Sequence, residues 1–288
     1  MRADELPRVG QPTILKGHVH ASASRVLSYL RSAKQKHPLT RQHPAPDSTS
    51  IKKANEPIVS QRLISRATVA QQYLRGQGLE IGAAHLPLKL PPGAMVKYVD
   101  WVPLEELKRI WPEVANLPAL VNIDIVDDGE TLATIAPSSQ DFIVANHFLE
   151  HCLDPIGTII NLHSKLRDQG ILFFAIPEKR HTFDRARPVT PYEHLLDEYR
   201  DGGRQSFRAE HIREVALLRA REAAGVEQLV QELLNSGCRI HYHVWTYAEI
   251  LELFTRTIRD FKLELEPECF TVNGSEVIAV LRKTALPS

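Results

Sequence analysis

The fold is decided by residues 78–85, which read GLEIGAAH. An apolar segment, Leu79–Ile81, carries one acidic residue, Glu80, and runs directly into Gly82. A short strand that turns sharply on glycine is where an α/β sheet brings its backbone close to a nucleotide-type ligand. The stretch therefore predicts the first strand of a doubly wound sheet, followed by its ligand-binding loop.

A second apolar segment, residues 96–100, ends on the carboxylate Asp100, at the place where doubly wound sheets hold a ribose diol. Beyond it, strand and helix patterns alternate, which predicts parallel strands joined by right-handed crossovers. The further strands are predicted at residues 120–125, 141–146 and 171–176, and the helices at residues 58–74, 103–108 and 154–168.

The end of the chain follows a different pattern. Residues 261–266 alternate with period two, and a second strand at residues 276–281 follows the turn at Asn273 and Gly274. Two consecutive strands without a helix between them pair antiparallel when they are adjacent. The prediction is a mainly parallel sheet with an antiparallel finish.

Composition places the chain among ordinary globular proteins. Its 288 residues are 43% hydrophobic with a formal net charge of zero, enough for one substantial core. The longest apolar runs are strand-sized and the N-terminus lacks a signal-peptide core, so we expect no membrane span and a cytoplasmic location. The three cysteines have neither disulfide-framework nor zinc-thiolate spacing.

The N-terminal segment, residues 1–56, is expected to be a flexible basic arm. Residues 1–60 carry ten Lys and Arg against four Asp and Glu, with prolines at 38, 44 and 46. Such a composition favours a solvated tail over a nucleic-acid or lipid contact, so we do not expect a nucleic-acid partner. The folded domain is expected to span residues 57–285.

The order of these signals resembles class I S-adenosylmethionine-dependent methyltransferases, over roughly residues 60–285. Residues 79–82 resemble the first motif of the family, residues 98–100 its second-strand acid, and residues 141–151 (DFIVANHFLEH) its fourth-strand block. The resemblance is strongest to bacterial methyltransferases of unassigned substrate. It implies a Rossmann-like sheet of seven strands, mostly parallel with a terminal antiparallel hairpin, and S-adenosylmethionine as cofactor.

The resemblance also implies roles for individual residues at the strand ends. Glu80 would face the methionine moiety, and Gly82 would let the backbone approach the cofactor. Asp100 would bind the ribose hydroxyls, and Asp124 the adenine amino group. Asn146 and His147 would line the mouth of the site. Two of these acids have structural alternatives, since Asp100 suits a helix cap and Asp124 an acidic solvent loop with Asp127 and Asp128.

One departure concerns the loop after the first strand. The family often carries two or three glycines there, whereas this chain has Ala83, Ala84 and His85 after Gly82. Alanine is small enough for a close backbone approach but does not accept a positive φ as glycine does. The conformation of this loop is therefore open at the level of sequence.

Three other functions are compatible with parts of the sequence. His147-x-x-Glu150-His151 matches a zinc-peptidase pattern, but that pattern requires a continuous helix, and residues 142–144 before it are strand-like. A NAD(P)-dependent oxidoreductase would use a similar sheet, although the glycine pattern and the terminal hairpin disfavour it. A cofactor-binding protein without catalysis is the third alternative.

Residues 178–243 are too long for an ordinary connection and are expected to form an inserted, largely helical substrate cap. Apolar spacing predicts helix over residues 209–234. Arg180, Arg185 and Arg187 follow a strand end and are candidates for holding an anionic group.

Histidines in and near this insertion are candidates for a general base, because imidazole titrates near neutrality. The candidates are His147, His181, His241 and His243, and the last two lie on one face of an extended segment. With His194 or His181, the pair His241 and His243 could also form a metal site. The alternative is that these histidines pack the cap on the sheet. No residue is assigned as a metal ligand. The expected acceptor is a small molecule, sugar-like or anionic, and the oligomeric state is open.

Overall fold

The structure is a computed structural model that describes residues 64–112, 114–202, 205–219, 225–235 and 240–284. The basic arm predicted for residues 1–56 lies outside these residues. No helix in the described ranges is both long enough and apolar enough to cross a membrane.

A seven-stranded sheet forms the centre of the protein, in the order β3-β2-β1-β4-β5-β7-β6. Neighbouring strands from β3 to β5 pair parallel, whereas β7 pairs antiparallel with both β5 and β6. The predicted parallel sheet with an antiparallel finish is confirmed. The strands are β1 (Gln77–Ile81), β2 (Met95–Asp100), β3 (Ile125–Val126), β4 (Gln140–Asn146), β5 (Leu166–Pro177), β6 (Leu265–Asn273) and β7 (Glu276–Lys283).

Helices cover both faces of the sheet and build the insertion. They are α1 (Arg66–Tyr73), α2 (Leu104–Ile110), α3 (Pro155–Lys165), α4 (Tyr192–Asp201), α5 (Gln205–Arg219), α6 (Val226–Asn235) and α7 (Tyr247–Asp260). Two of them begin at strong N-terminal caps. Asp154 accepts a hydrogen bond from Gly157 N ahead of α3, and Thr246 with Glu249 forms a capping box at the start of α7.

The core lies on both faces of β4 and β5, because successive strand side chains point to opposite faces. Phe142 and Phe173 pack with α1 on one face. Ile143 and Phe174 pack on the other face, where they meet α3 and α7. Burial on both sides explains why these strands read as continuous apolar runs rather than alternating ones.

Element boundaries differ from the predicted ones at four places. The strand predicted at residues 261–266 is instead β6, Leu265–Asn273, and residues 261–264 lie in the turn between α7 and β6. The third strand is only Ile125–Val126, since residues 120–124 run beside β2 and the loop after β1 with isolated contacts, such as Val121 N to Ala84 O. The fifth strand already begins at Leu166, with a register shift against β4 near Gln140. Helix α1 begins at Arg66, and the residues predicted before 64 lie outside the described ranges.

The insertion has a helical middle, as the apolar spacing predicts. Helices α5 and α6 form a small separate core with Ile240 and Tyr242. Helix α4, in contrast, packs Tyr192 and Leu195 into the main core of the sheet. The insertion is therefore anchored on the sheet at α4 and extends outward as a helical pair.

A substitution at Gly78 would test the tight contact between β1 and β4. A Cβ at this position would lie 2.2 Å from the backbone oxygen of Phe142, which is too close for two atoms that are not bonded to each other. We expect Gly78→Ala to lower the free energy of unfolding by about 2–3 kcal/mol, and the thermal midpoint by about 5–10 °C, because overpacking strains the sheet.

The matched control is Gly225→Ala, since a Cβ there meets nothing within 4 Å. Its unfolding midpoint, measured by circular dichroism, is expected to stay within about 1–2 °C of the wild type. Equal stability of both variants would show that β1 and β4 are not so closely packed.

Candidate functional site

The loop after β1 takes a left-handed backbone at two positions. Gly82 has φ of 62° and Ala84 has φ of 48°, and both residues are buried. Glycine adopts this region freely, whereas alanine carries a cost of about 1–2 kcal/mol. The loop therefore forms the sharp turn without the extra glycines, with the surrounding structure holding Ala84 in place.

Glu80 lies inside β1 and is completely buried. Its two carboxylate oxygens accept hydrogen bonds from Leu88 N at 3.1 and 3.0 Å. The carboxylate thus fixes the chain as it returns from the loop. The role predicted for Glu80, facing the methionine moiety, stays a prediction.

Asp100 ends β2 beside this loop. Ile81 pairs with Val99, and Gly82 N donates to Val99 O, so Gly82 and Asp100 are neighbours at the same edge of the sheet. Asp100 is 4% exposed, and its Oδ1 accepts from Trp101 N at 2.9 Å. The carboxylate is therefore oriented by the backbone of the following residue, next to the loop after β1.

Asp124 does not lie at this edge, and the role predicted for it needs correction. Its Oδ2 accepts from Tyr98 N, in the middle of β2, at 2.8 Å, and its side chain is exposed. The prediction placed β3 too early in the chain. The acids that follow the end of β3 are Asp127 and Asp128, and Asp127 is engaged by Thr134.

Asn146 ends β4 and is 1% exposed. Neither its amide oxygen nor its amide nitrogen has a hydrogen-bond partner among the described residues. A buried amide without partners is costly, and such groups in native proteins commonly await a ligand or water. A nucleoside with an amino-acid extension, as in S-adenosylmethionine, supplies hydroxyl, amine and carboxylate groups that match Asn146, Asp100 and the loop. The residues at this edge therefore fit that cofactor.

His147 follows in a strained left-handed conformation, with φ of 48°. Its Nε2 lies 2.8 Å from Glu276 Oε2 and 2.7 Å from an Arg66 guanidinium nitrogen. Its Nδ1 lies 3.7 Å from Glu150 Oε1. The imidazole is thus placed between two buried carboxylates at the edge where β4 ends.

Glu276 begins β7 and is held by three partners. Arg66 contacts both of its oxygens, with Nε to Oε1 at 2.7 Å, and Asn273 donates to Oε1 at 2.8 Å. Burial raises the pKa of this carboxyl, but hydrogen bonds from His147 and Arg66 outweigh it and lower the pKa to about 2. Glu276 is therefore ionised throughout the neutral range.

The sequence analysis missed Arg66 and Glu276. Arg66 lies in a helix outside the recognised motifs, and Glu276 begins an apolar strand whose pattern reports only packing. The one available signal was a carboxylate directly after the hairpin turn.

The first part of the insertion lies at the end of β5. Glu178 is completely buried and accepts from Arg180 Nε at 2.7 Å, and the Arg180 guanidinium lies 5.1 Å from the ring centroid of Tyr247. His181 is about half exposed, with Nε2 3.4 Å from Glu178. These side chains border the same edge as His147.

Arg187, predicted to hold an anion, is buried instead. Its guanidinium binds Asp184 and Glu214 and also donates to the carbonyl oxygens of His241 and Tyr242. With its donors engaged inside the protein, Arg187 has a structural role.

The two histidines of the extended segment enter separate buried clusters. His241 Nδ1 lies 2.6 Å from Asp184, and its ring stacks edge-on against His151. His243 is completely buried, with Nε2 3.0 Å from Cys152 O, and burial lowers its pKa to about 3. Because His243 is completely buried, it cannot contact an acceptor and does not act on it as the base.

The zinc-peptidase alternative lacks its helix. Residues 149–151 form a single 3₁₀ turn, and His147 lies in the turn that follows β4. His147 binds Glu276, whereas His151 Nδ1 lies 2.7 Å from Ile240 O, so the two imidazoles do not share a helix face.

Comparison with known proteins identifies the family. A family model described as a methyltransferase domain matches residues 62–228, more than half of the chain. No curated protein matches.

Similar solved structures include a SAM-dependent methyltransferase from Methanosarcina mazei, with 16% identity over 75% of this chain and 97% of that chain, and a TM-score of 0.42. Another is a SAM-dependent methyltransferase from Aquifex aeolicus, with 11% identity over 76% of this chain and 89% of that chain, and a TM-score of 0.41.

The family match covers the loop after β1, the end of β4 and most of the insertion. The prediction of an S-adenosylmethionine-dependent methyltransferase is thereby confirmed, and the oxidoreductase alternative falls away. The chain belongs to the methyltransferase family.

Proposed function

We propose that this methyltransferase transfers its methyl group to a proton-bearing atom, such as a hydroxyl oxygen, of a small-molecule acceptor. The observation that carries this proposal is a pair of side chains: His147, directly after β4, lies against Glu276, which is buried and ionised at the start of β7. An oriented imidazole at a strand end is the arrangement that removes a proton during reaction.

The cofactor side of the site is formed by the ends of β1, β2 and β4. We assign the ribose hydroxyls to Asp100, since two adjacent donors match the two oxygens of a carboxylate. Asn146 offers an amide without partners in the described part of the chain, and the turn at Gly82 allows close backbone approach. Asp128, which follows β3, replaces Asp124 as the acid proposed for the adenine end.

The cofactor supplies an electrophilic methyl group, and the protein aligns the acceptor and handles its proton. The proposal requires the His147 tautomer with its proton on Nε2, in which Nε2–H donates to Glu276 and Nδ1 accepts the proton; in the other tautomer Nε2 accepts from Arg66, 2.7 Å away. The imidazolium that forms has Glu276 at Nε2 and Glu150 3.7 Å from Nδ1. Arg66 keeps Glu276 charged and in position throughout.

We propose that the acceptor is anionic or sugar-like and binds between the end of β4 and residues 180–185. Arg180 is half exposed and lies over Tyr247, and Arg185 is exposed nearby in sequence. Exposed guanidinium groups beside an aromatic ring suit a carboxylate, a phosphate or a sugar face.

Residues 178–243 are proposed as the cap of this site. Lys179 N donates to Trp245 O, and both Tyr242 N and His243 N donate to Glu150 O, which ties both ends of the insertion to the site. We also propose a cytoplasmic location, which the free thiols of Cys152 and Cys269 support.

Asp100→Asn tests the cofactor site. We expect its affinity for S-adenosylhomocysteine, measured by titration calorimetry, to fall about 10- to 100-fold, because charge-assisted hydrogen bonds to the ribose are lost. The control is Asp124→Asn, whose side chain binds the middle of β2. Equal affinity loss in both variants would reject the assignment of Asp100 to the ribose.

His147→Asn tests the proton acceptor. Turnover with radiolabelled S-adenosylmethionine and a panel of hydroxylated acids and sugars is expected to fall about 10²- to 10⁴-fold, with the affinity for S-adenosylhomocysteine unchanged. We expect the rate of the wild type to fall at acidic pH, where a general base is protonated, and His147→Asn to lack that dependence.

The control for this experiment is His163→Asn, a histidine on α3 that lies 3.6 Å from Glu264 and outside the site. It is expected to keep wild-type turnover. A His147 variant that retains full turnover and the same pH profile would show that the proton leaves by another route.

A further inference from the structure

Four ligand-type side chains converge in the insertion, away from the ends of β1 and β2. His194 and Glu198 lie one turn apart on α4, His211 lies on α5, and His243 lies in the segment before α7. One nitrogen or oxygen of each residue lies within 4.8 Å of those of the others. Three separate parts of the chain thus bring their polar atoms to one buried place.

Two distances in this cluster match the spacing between the ligand atoms of a metal ion, and the two contacts to Glu198 Oε1 are shorter. His194 Nε2 lies 3.4 Å from His211 Nε2 and 3.0 Å from Glu198 Oε1. His211 Nε2 lies 2.6 Å from Glu198 Oε1, and His243 Nε2 lies 3.4 Å from Glu198 Oε2. A tetrahedral ion with bonds of about 2.0–2.1 Å places its ligand atoms about 3.3 Å apart.

Hydrogen bonding alone accounts poorly for this crowding. The Nε2 atoms of His194 and His211 lie close to each other and to the same oxygen of Glu198. Oε1 of Glu198 can accept from both imidazoles, but Oε2 of the same carboxylate is buried and has no hydrogen-bond partner among the described residues. A cation between the two imidazoles would take both lone pairs and the carboxylate charge together.

His243 gives a second, independent observation. Its ring is completely buried, and its Nε2 lies 3.0 Å from Cys152 O. Its Nδ1 is buried and has no hydrogen-bond partner among the described residues. Nε2 also lies 3.4 Å from Oε2 of Glu198, the oxygen without a hydrogen-bond partner in the described part of the chain, so an ion bound there would replace the contact of this nitrogen with Cys152 O.

A cavity of about 200 Å³ opens beside the cluster and is lined by His194, His211, Glu210 and Glu214, among others. It gives an ion a route to the cluster. Of its two acidic wall residues, Glu214 pairs with Arg187, and Glu210 adds a negative charge that favours a cation over an anion.

We propose that His194, Glu198, His211 and His243 bind one divalent transition-metal ion, with zinc as the ion that the donor set fits best. Three imidazoles and one carboxylate are the borderline donors that zinc prefers, whereas magnesium and calcium prefer oxygen ligands alone. The proposal is independent of the acceptor chemistry proposed above.

The bound ion would fasten the insertion to the sheet. Helix α4 packs into the main core, whereas α5 belongs to the separate core of the insertion. The segment that carries His243 also hydrogen-bonds Glu150 O, beside His147. The ion would therefore hold the cap in register with the site without contacting the reacting atoms.

Metal content tests the proposal directly. The full chain, purified without a histidine tag, is expected to contain about one zinc per chain by mass spectrometry of the metals. After removal of metal with a chelator, zinc is expected to raise the thermal unfolding midpoint by about 5–10 °C, and magnesium to leave it unchanged. Cobalt is expected to give the intense visible absorption of a four-coordinate site.

Variants locate the site. His211→Asn and the partly exposed His194→Asn are expected to lose stoichiometric zinc and the zinc-dependent rise in midpoint, while circular dichroism confirms that they fold. His163→Asn is expected to keep both.

A second group, Glu150, His151 and His241, also has metal-ligand chemistry, so His151→Asn distinguishes the two. Zinc retained in His151→Asn supports the proposal. Absence of stoichiometric zinc from the wild type after zinc addition, or loss of zinc in His151→Asn but not in His211→Asn, would overturn it.

Discussion

The parallel pairing of β2, β1 and β4 is the constraint on which the functional site depends. In a parallel sheet the carboxyl ends of neighbouring strands lie at one edge, about 4.8 Å apart. The register of Ile81 with Val99 brings Gly82 beside Asp100, and β4 adds Asn146 at the same edge. A shift of one residue in any pair would send these side chains to the opposite face.

The antiparallel strand β7 adds to the candidate site a carboxylate, Glu276, that the parallel strands do not supply. Because β7 runs against β5, its first residue, Glu276, lies opposite Pro177 at the end of β5. A carboxylate from the end of the chain thereby reaches His147. Such a buried charge requires partners, and Arg66 supplies the positive one. The terminal hairpin is thus part of the site as well as part of the fold.

The sequence predicted the parts of the site that lie on regular strands. Glu80, Asp100 and Asn146 follow apolar segments whose direction fixes where the strands end, and the structure places each at or beside the predicted edge. Asp124 was misplaced because β3 has only two paired residues, and so short a strand leaves little periodic signal. Arg66 and Glu276 were missed because their pairing joins residues 210 positions apart, which no local pattern encodes.

The insertion poses a separate problem of stability. Helices α5 and α6 bury a small apolar core, and a helical pair of this size is marginal in water without further contacts. Two polar centres join it to the rest of the protein. Arg187 links Asp184 to Glu214 on α5, and the histidines around Glu198 join α4, α5 and the segment before α7.

Polar centres hold an element in one geometry more strictly than apolar packing does, because charged and hydrogen-bonding groups demand specific partners. For an insertion that we propose as the cap of the site, such directed contacts would fix its position. Two of the histidines that the sequence analysis gave as candidates for a general base, a metal site or packing, His241 and His243, belong to these polar centres or their immediate contacts.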